Sequence, residues 1–452
     1  MNRGEEYRAL LAELEQTPPA LDGTGGRALE RERARRRKNR LWSLPAGSFA
    51  ACFVLFVLLV NLWPPFARAC SDIPVLGRLA EAVRLSPSLS AAVENEYVQP
   101  IGQSQTVNGI TATVEYVIVD LKQVNIFYTL SGEGYETLSG EMPELAGDLP
   151  CSISTSDFGQ PPGTLLDFTL DFFDNDVPEQ ITFTFGVTTW DRRSGQTEPD
   201  RAYEDEMLSP REEPEAEVLA EFTFTVDFDP TFTQQGETVA IDRQFQMDGQ
   251  TLTLTEVEIY PTHVRVNFED VPENTAWMKG LDFYLENEDG ERLEPVSNGI
   301  SGTGSPDSPM IASYRLESPY FSDSQHLTLY LTGAVWLDKD MEWVRVDLAH
   351  RTAERLPEGV TFTGADHRAG GWILTFEAER RKENAAYQLF SMTFRDAEGK
   401  EYEMRSSGSA VGDGETFEVM LPLPDYHAGE VWLNPSFSRV TAQTPPMVIP
   451  VK

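Results

Sequence analysis

Two long segments of the sequence repeat one another at a constant spacing of 140 residues, and this repeat constrains the fold more than any other feature. The segment VNGITATVEYVIVDLKQVNIFY, from Val107, aligns without a gap on MDGQTLTLTEVEIYPTHVRVNF, from Met247. Further along, the segments that contain Phe168 and Ile181 align on those that contain Tyr314 and Leu327 at a spacing of 146 residues. We interpret these spacings as two copies of one module, the second longer by six residues in its middle.

Both copies consist of short alternating segments separated by Gly, Pro, Asn and Asp residues. In LTLYLTG, for example, Leu327, Leu329 and Leu331 fall on one face of an extended chain. A third unit follows, because MTFRDAEGKEY from Met392 resembles FYLENEDGERL from Phe283. This pattern predicts a mainly β protein with two or three immunoglobulin-like β-sandwiches in tandem.

The repeated units place the domain boundaries near Asn95, Asp229 and Leu348. The predicted sandwiches therefore cover residues 96–228, 229–348 and 349–452. Residues 64–95 precede them, and this segment contains a predicted helix from Ile73 to Val93, interrupted at Pro87. We expect this helix to dock on the first sandwich, because its polar face is not the strongly basic face of a lipid-binding helix.

The 23 residues from Leu41 to Trp63 contain no charged side chain. As a helix they would reach about 34 Å, enough for a hydrocarbon core of about 30 Å. Trp42 and Trp63 lie near the two ends, where membrane interfaces favour tryptophan. The alternative is a cleaved signal peptide, since the uninterrupted core from Phe49 to Val60 is short. We favour a retained transmembrane helix at 41–63, because about 40 residues precede it and a secretory n-region is normally short.

The charges that flank this segment predict its orientation. Residues 31–40 carry seven cations and one Glu, and cations of this kind stay in the cytoplasm. The predicted membrane-flanking residues are Arg35, Arg36, Arg37, Lys38, Arg40, Trp42 and Trp63. We therefore expect a single-pass protein of the cell membrane, with residues 1–40 in the cytoplasm and the C-terminal bulk outside.

Strong acidity of the C-terminal bulk excludes one class of partner. Residues 1–40 have a net charge of +3, so residues 41–452 carry −40 of the total of −37. Such a surface repels phosphate backbones, and we expect no nucleic-acid binding.

The cytoplasmic segment has one apolar strip, formed on a predicted helix by Tyr7, Leu10, Leu11 and Leu14. We predict that this strip binds a cytoplasmic protein. Alternatively, the helix rests on the bilayer, aided by the basic block.

No motif for catalysis or cofactor binding is present. The five histidines are scattered, without HExxH or a Cys/His cluster, and GxSxG, the P-loop and GxGxxG are absent. The acidic groups in DFFDNDVPE and ENEDGE contain calcium-ligand residue types, but neither follows an EF-hand loop, and turn residues are the better interpretation. These acids are Asp171, Asp174, Asp176, Glu286, Glu288 and Asp289. We predict no enzyme, no catalytic residue, no cofactor and no metal site.

One run of sequence resembles a known family. Residues Pro64 to Asp120, and most specifically AVENEYVQPIGQSQTVNGIT, together with the opening EYRALLAELEQTPPAL, resemble a domain-of-unknown-function family of membrane-anchored bacterial proteins. Its members are described as anti-sigma-factor-like and often accompany extracytoplasmic-function sigma factors in Gram-positive bacteria. The second module resembles a companion immunoglobulin-like domain. The cytoplasmic segment departs from zinc-bearing anti-sigma domains, since it contains no His and no Cys.

The resemblance implies a membrane regulator in which residues 1–40 bind a sigma factor or a similar cytoplasmic regulator, while the ectodomain senses or binds a ligand outside. The alternative is an anchored cell-surface protein whose tandem modules bind an extracellular protein or a cell-wall ligand.

Overall fold

A computed structural model describes residues 75–147, 149–155, 159–173, 175–189, 208, 217–233, 235–296, 300–304, 310–322, 324–379, 388–404, 408–410 and 416–452. The chain divides into two compact units, Met1–Val75 and Leu76–Lys452, and nearly all of these residues belong to the second. That unit is mainly β, as the alternation of the sequence predicts.

The predicted layout with one transmembrane helix is wrong for the part of the chain that the structure describes. No helix there is both long and apolar enough to cross a membrane. The longest two, α1 (Val75–Ala82) and α2 (Pro87–Glu94), have eight residues each, whereas a span needs about 20. Residues 41–63, for which the sequence predicts the span, lie outside the described residues.

Helices α1 and α2 lie in the segment for which the sequence predicts a helix. The chain turns between them because Pro87 cannot continue a helix but suits its first position, and the hydroxyl of Ser86 caps α2 by accepting the N–H of Leu89 at 3.3 Å. Leu79, Val83 and Leu89 pack on Ile118 and Phe127 of the first sandwich. As expected, the apolar face of this segment is docked on protein.

Two sheets packed face to face form the first sandwich. One has the order β1-β2-β3-β7-β6, and the other pairs β8 with β4, β5 and β9. Buried side chains of both sheets form one core, in which Phe183, Phe185, Phe222 and Phe224 contact one another. The strands are β1 (Gln99–Val107), β2 (Ile110–Val119), β3 (Gln123–Gly132), β4 (Ser139–Gly140), β5 (Glu144–Leu145), β6 (Ser152–Thr155), β7 (Leu165–Asp171), β8 (Gln180–Thr188) and β9 (Ala220–Asp227).

The second sandwich follows the short helix α3 (Pro230–Thr233) and has the same plan. Its sheets have the orders β10-β11-β12-β16-β15 and β14-β13-β17-β27, in which β27 (Arg439–Pro450) is the last strand described. The first eight strands are β10 (Glu237–Met247), β11 (Gln250–Ile259), β12 (Val264–Asp270), β13 (Ala276–Asn287), β14 (Arg292–Leu293), β15 (Gly302–Gly304), β16 (Ile311–Leu316) and β17 (Leu327–Asp338).

Most strands of the two sandwiches correspond at the spacings seen in the sequence, although the single strand β13 stands where the first copy has β4 and β5. β2 and β11 are offset by 140 residues, and so are the bulges between Pro100 and Gln103 and between Ala240 and Arg243. The two hairpin turns also match, since Asn108-Gly109 and Asp248-Gly249 both have the positive φ angles of a type I′ turn. The repeat is therefore structural.

A third sandwich lies between β17 and the last strand. Its sheets have the orders β19-β18-β26-β22-β23 and β20-β21-β25-β24. A 3₁₀ helix, Lys339–Met341, leads into it. The strands are β18 (Val344–Asp347), β19 (Thr352–Ala353), β20 (Val360–Arg368), β21 (Gly371–Glu379), β22 (Phe390–Arg395), β23 (Glu401–Glu403), β24 (Gly408–Ala410), β25 (Thr416–Pro424) and β26 (Glu430–Pro435).

Strand β27 does not belong to the third sandwich, although the sequence places it there. It pairs with β17 along almost its whole length, and Ile449 is fully buried in the core of the second sandwich. β27 thus takes the position that β9 has beside β8 in the first copy. The third sandwich is inserted into the second, and the predicted domain 349–452 ends before Arg439.

Candidate functional site

All of the predicted partner-binding and membrane-flanking residues lie outside the described residues. These are Tyr7, Leu10, Leu11, Leu14, Arg35, Arg36, Arg37, Lys38, Arg40, Trp42 and Trp63. Asp174 of the first acidic group also lies outside them. The predictions on these residues stay predictions.

Three of the other acidic side chains, those of Asp176, Glu286 and Glu288, make contacts within the fold. Asp176 pairs with Lys122 at 2.9 Å, and Glu286 lies 3.5 Å from Arg292. The carboxylate of Glu288 accepts the backbone N–H groups of residues 325 and 326. Across the described ranges, no group of three or more His, Cys, Asp or Glu residues is arranged to hold a metal ion.

Asp171 has a different role, because it ends β7 at the contact between the first and second sandwiches. Its Oδ1 and Oδ2 accept N–H groups of Arg315 at 2.6 and 3.0 Å, and Oδ1 accepts a further N–H of Arg265 at 3.2 Å. The two arginines face each other on β12 and β16, and all three side chains are at most 1% exposed. One carboxylate therefore holds two buried guanidinium groups that would otherwise repel each other.

A second buried carboxylate lies beside this group. Asp120 Oδ2 accepts the backbone N–H of Thr262 at 3.1 Å and its hydroxyl at 2.6 Å. Its Oδ1 accepts the backbone N–H groups of Lys122 and Gln123, each at 2.9 Å. Burial raises the pKa of Asp120, and these four hydrogen bonds oppose the increase.

His263 connects the two carboxylates and is uncharged. The guanidinium Nε of Arg265, which can only donate, lies 3.0 Å from His263 Nε2, so Nε2 must accept. Nδ1 then carries the proton and donates to the hydroxyl of Thr262 at 2.8 Å. Burial, with the positive charges of Arg265 and Arg315, lowers the pKa of His263 well below its ordinary value.

A third contact ties α2 to the second sandwich. Glu317 Oε2 accepts the backbone N–H of Ser88 at 2.7 Å and its hydroxyl at 2.5 Å. The hydroxyl of Ser86 approaches the same oxygen at 3.3 Å. Burial raises the pKa of Glu317, although these hydrogen bonds oppose the shift. We call the three contacts together the interdomain joint: Ser86, Ser88, Asp120, Asp171, Thr262, His263, Arg265, Arg315 and Glu317.

The interdomain joint is not predicted by the sequence motifs above, although the repeat contains a signal for it. Arg265 and Arg315 replace Asn125 and Thr169 of the first copy at spacings of 140 and 146 residues. In the first copy these positions form a neutral hydrogen bond, from Thr169 to Asn125 at 2.9 Å. Charged residues on one copy alone indicate a contact that the other copy lacks.

The interdomain joint fits a mechanical role better than a catalytic one. Its three carboxylates and two guanidinium groups are all buried, and each is bound to protein partners. Such a network holds one relative orientation of two domains.

The third sandwich carries two further surface features. The rings of His367 and His427 approach each other, with Nε2 of the first 3.0 Å from Nδ1 of the second. On the outer face of β18, β26 and β22, Arg395 lies 3.8 Å from the ring centre of Trp343, and Arg345 lies 5.9 Å from that of Trp432.

Comparisons with known proteins agree with the domain-level resemblance and go no further. Residues 37–132 match a family model described as a domain of unknown function (DUF4179), and residues 236–356 match one described as a family of unknown function (DUF5643). Neither description mentions an anti-sigma factor or an immunoglobulin-like fold.

No curated protein matches the chain. One solved structure, "The crystal structure of the conserved domain protein from Bacillus anthracis", is similar with a TM-score of 0.37 and 14% identity over 59% of this chain and 82% of that chain.

Proposed function

We propose that this chain is a regulator at the cell membrane that resembles an anti-sigma factor. Its β-rich part senses or binds a ligand outside the cytoplasm, and its N-terminal segment binds a sigma factor or another cytoplasmic regulator through Tyr7, Leu10, Leu11 and Leu14. It performs no catalysis.

The observation that carries this proposal is the attachment of α2 to both sandwiches. Leu89 packs on Ile118 and Phe127 of the first sandwich, while Ser86 and Ser88 bind Glu317 of the second. A ligand that changes the relative position of the sandwiches must therefore also strain the contacts of this helix. A sensor needs such a connection between its ligand-binding part and its output, whereas a passive spacer does not.

The partner is tested by capturing cytoplasmic proteins with the full-length protein and with the variant Leu10→Asp/Leu11→Asp. Two charges in an apolar contact should abolish capture of the sigma factor and release sigma-dependent transcription. The control Ala9→Asp/Ala12→Asp adds the same charge on the opposite side of the predicted helix, Glu5 to Leu14, and should retain both. If the wild type captures no sigma factor or other regulator, the proposal is wrong.

A test of the connection uses Glu317→Ala, which removes the contacts with Ser86 and Ser88. We expect the variant to keep its cytoplasmic partner but to respond less to envelope stress. The control Glu354→Gln removes an exposed carboxylate that binds Arg345 at 2.8 Å, and it should respond like the wild type. An unchanged response of Glu317→Ala would contradict the mechanical role of the interdomain joint.

The outer face of the third sandwich favours a second function, that of a surface protein that binds a cell-wall ligand. Trp343 and Trp432 lie half-buried on this face, where an indole ring can stack on a sugar ring. Binding to purified peptidoglycan should weaken in Trp432→Ala and persist in Trp277→Ala, a tryptophan of the second sandwich. Equal binding by both variants and the wild type would exclude this face as the site.

A further inference from the structure

Two histidines that are 60 residues apart in sequence meet at one end of the third sandwich. His367 lies near the end of β20, and His427 lies in the loop between β25 and β26. Their nitrogens are 3.0 Å apart and the two rings are nearly perpendicular, at 85°. Both side chains are exposed.

The backbone on each side of this pair is held firmly. His367 opposes Trp372 in the β20–β21 hairpin, and the two ring centres are 4.5 Å apart. Tyr426, the neighbour of His427, is buried in the core of the third sandwich, and its hydroxyl donates to the carbonyl of Glu430. The loop that carries His427 is also bound to the hairpin, since Asp425 N donates to Gly370 O at 2.8 Å.

The separation of the two nitrogens suits a metal ion. Metal–nitrogen bonds of about 2.0–2.1 Å place two nitrogens about 2.9 Å apart at a right angle and about 3.4 Å apart in a tetrahedron. The observed 3.0 Å lies between these values. In the metal-free pair, one nitrogen must carry the proton that the other accepts. For both facing nitrogens to bind a metal, the rings must rotate and the donor ring must move its proton to its other nitrogen by exchange with water, so that each facing nitrogen offers a lone pair.

We propose that His367 and His427 form a two-histidine site for a divalent transition-metal ion, with water completing the coordination. Imidazole nitrogens suit Zn²⁺, Ni²⁺ and Cu²⁺, and reject the hard cations Ca²⁺ and Mg²⁺, which prefer oxygen. The net charge of −37 increases the concentration of any divalent cation near the surface. This site belongs to the third sandwich and does not depend on the proposed cytoplasmic partner.

Trp372 offers a local probe for the site. Bound Cu²⁺ or Ni²⁺ quenches the fluorescence of a nearby indole, and the Trp372 ring is in contact with the His367 ring. The experiment titrates the full-length protein with NiCl₂ alone, following fluorescence and binding heat. We expect one site per chain and quenching that is lost in Trp372→Phe.

Variants separate this site from other surface histidines. His367→Gln and His427→Gln should each lower the Ni²⁺ affinity by about tenfold or more. A single imidazole lacks the added affinity of two imidazoles that are held close together and bind the same ion. The control His350→Gln removes an imidazole that is 80% exposed and 3.0 Å from a carboxylate oxygen of Asp347, and it should bind like the wild type.

Three results would overturn the proposal. These are the absence of saturable Ni²⁺ binding to the wild type at pH 7.5, unchanged affinity in both His367→Gln and His427→Gln, and an equal loss of affinity in His350→Gln. The last result would indicate dispersed binding to single histidines. Sigma-factor capture by the same variants should be unchanged, so failure of this proposal and failure of the proposed function are distinguishable.

Discussion

Replacing Asp171 with Asn should separate the first two sandwiches while leaving each one folded. The carboxylate accepts three N–H groups from Arg265 and Arg315, and Asn can accept with only one oxygen. The variant therefore leaves two buried guanidinium groups next to each other without the carboxylate that both of them bind.

The loss of stability in Asp171→Asn follows from the burial of the ion pairs that Asp171 forms with Arg265 and Arg315. Removing one partner from a buried ion pair costs about 3–5 kcal/mol, because the remaining charge cannot regain water. For a domain of 150–250 residues, each kcal/mol changes the unfolding temperature by about 2–4 °C. We therefore expect a decrease of about 10 °C for the transition that includes the interdomain joint.

Differential scanning calorimetry of the full-length protein is the appropriate assay, since a chain of several domains does not unfold in one two-state step. The first and second sandwiches should share a transition in the wild type and separate in Asp171→Asn. The control Glu354→Gln removes a carboxylate that is 64% exposed and binds Arg345, and such exposed pairs contribute about 0–1 kcal/mol. A shift in Asp171→Asn no larger than the shift in the control would refute this reasoning.

Two other changes test the interdomain joint and the domain order. Because the pKa of His263 is lowered in the folded state, the unfolded chain alone gains a proton as the pH falls below about 6.5. The contribution of His263 to the free energy of unfolding should therefore fall by about 2 kcal/mol between pH 6.5 and 5. Urea unfolding of His263→Gln should lack that decrease. Ile449→Ala should lower the free energy of unfolding of the second sandwich by about 2–5 kcal/mol, since Ile449 is fully buried there. Val448→Ala, at a position that is 47% exposed, should change calorimetric stability little. A pH profile of His263→Gln that parallels the wild type, or equal effects of the two β27 variants, would contradict these expectations.

Alternation and the repeat were sufficient to predict the local structure. A strand with one buried face must alternate, so the segment around Leu327 was identified without knowledge of its neighbours. The turn at Asp248-Gly249 depends on equally local chemistry, because few residues other than Gly and Asn or Asp accept positive φ angles, although no turn was predicted at these two residues. Two copies with the same strand pattern then had to form two similar sandwiches.

The same alternating pattern does not predict which strands pair. β27 alternates like any strand, but alternation does not indicate which edge it joins, and it joined β17 across an insertion of about 100 residues. The predicted boundary failed there because sequential strands usually pair with near neighbours. Only the unpaired edge of β17 and the space in the core for Ile449 decided the partner.

The sequence by itself determined the strands, the turns, the repeated module and the acidic character of the chain, because each depends on residues close together along the chain. The tertiary structure alone decided the insertion of the third sandwich, the interdomain joint and the contact of His367 with His427. Asp171 meets Arg315 across 144 residues, and the two histidines meet across 60. Such contacts depend on how whole sheets pack, and no periodicity within a strand encodes them.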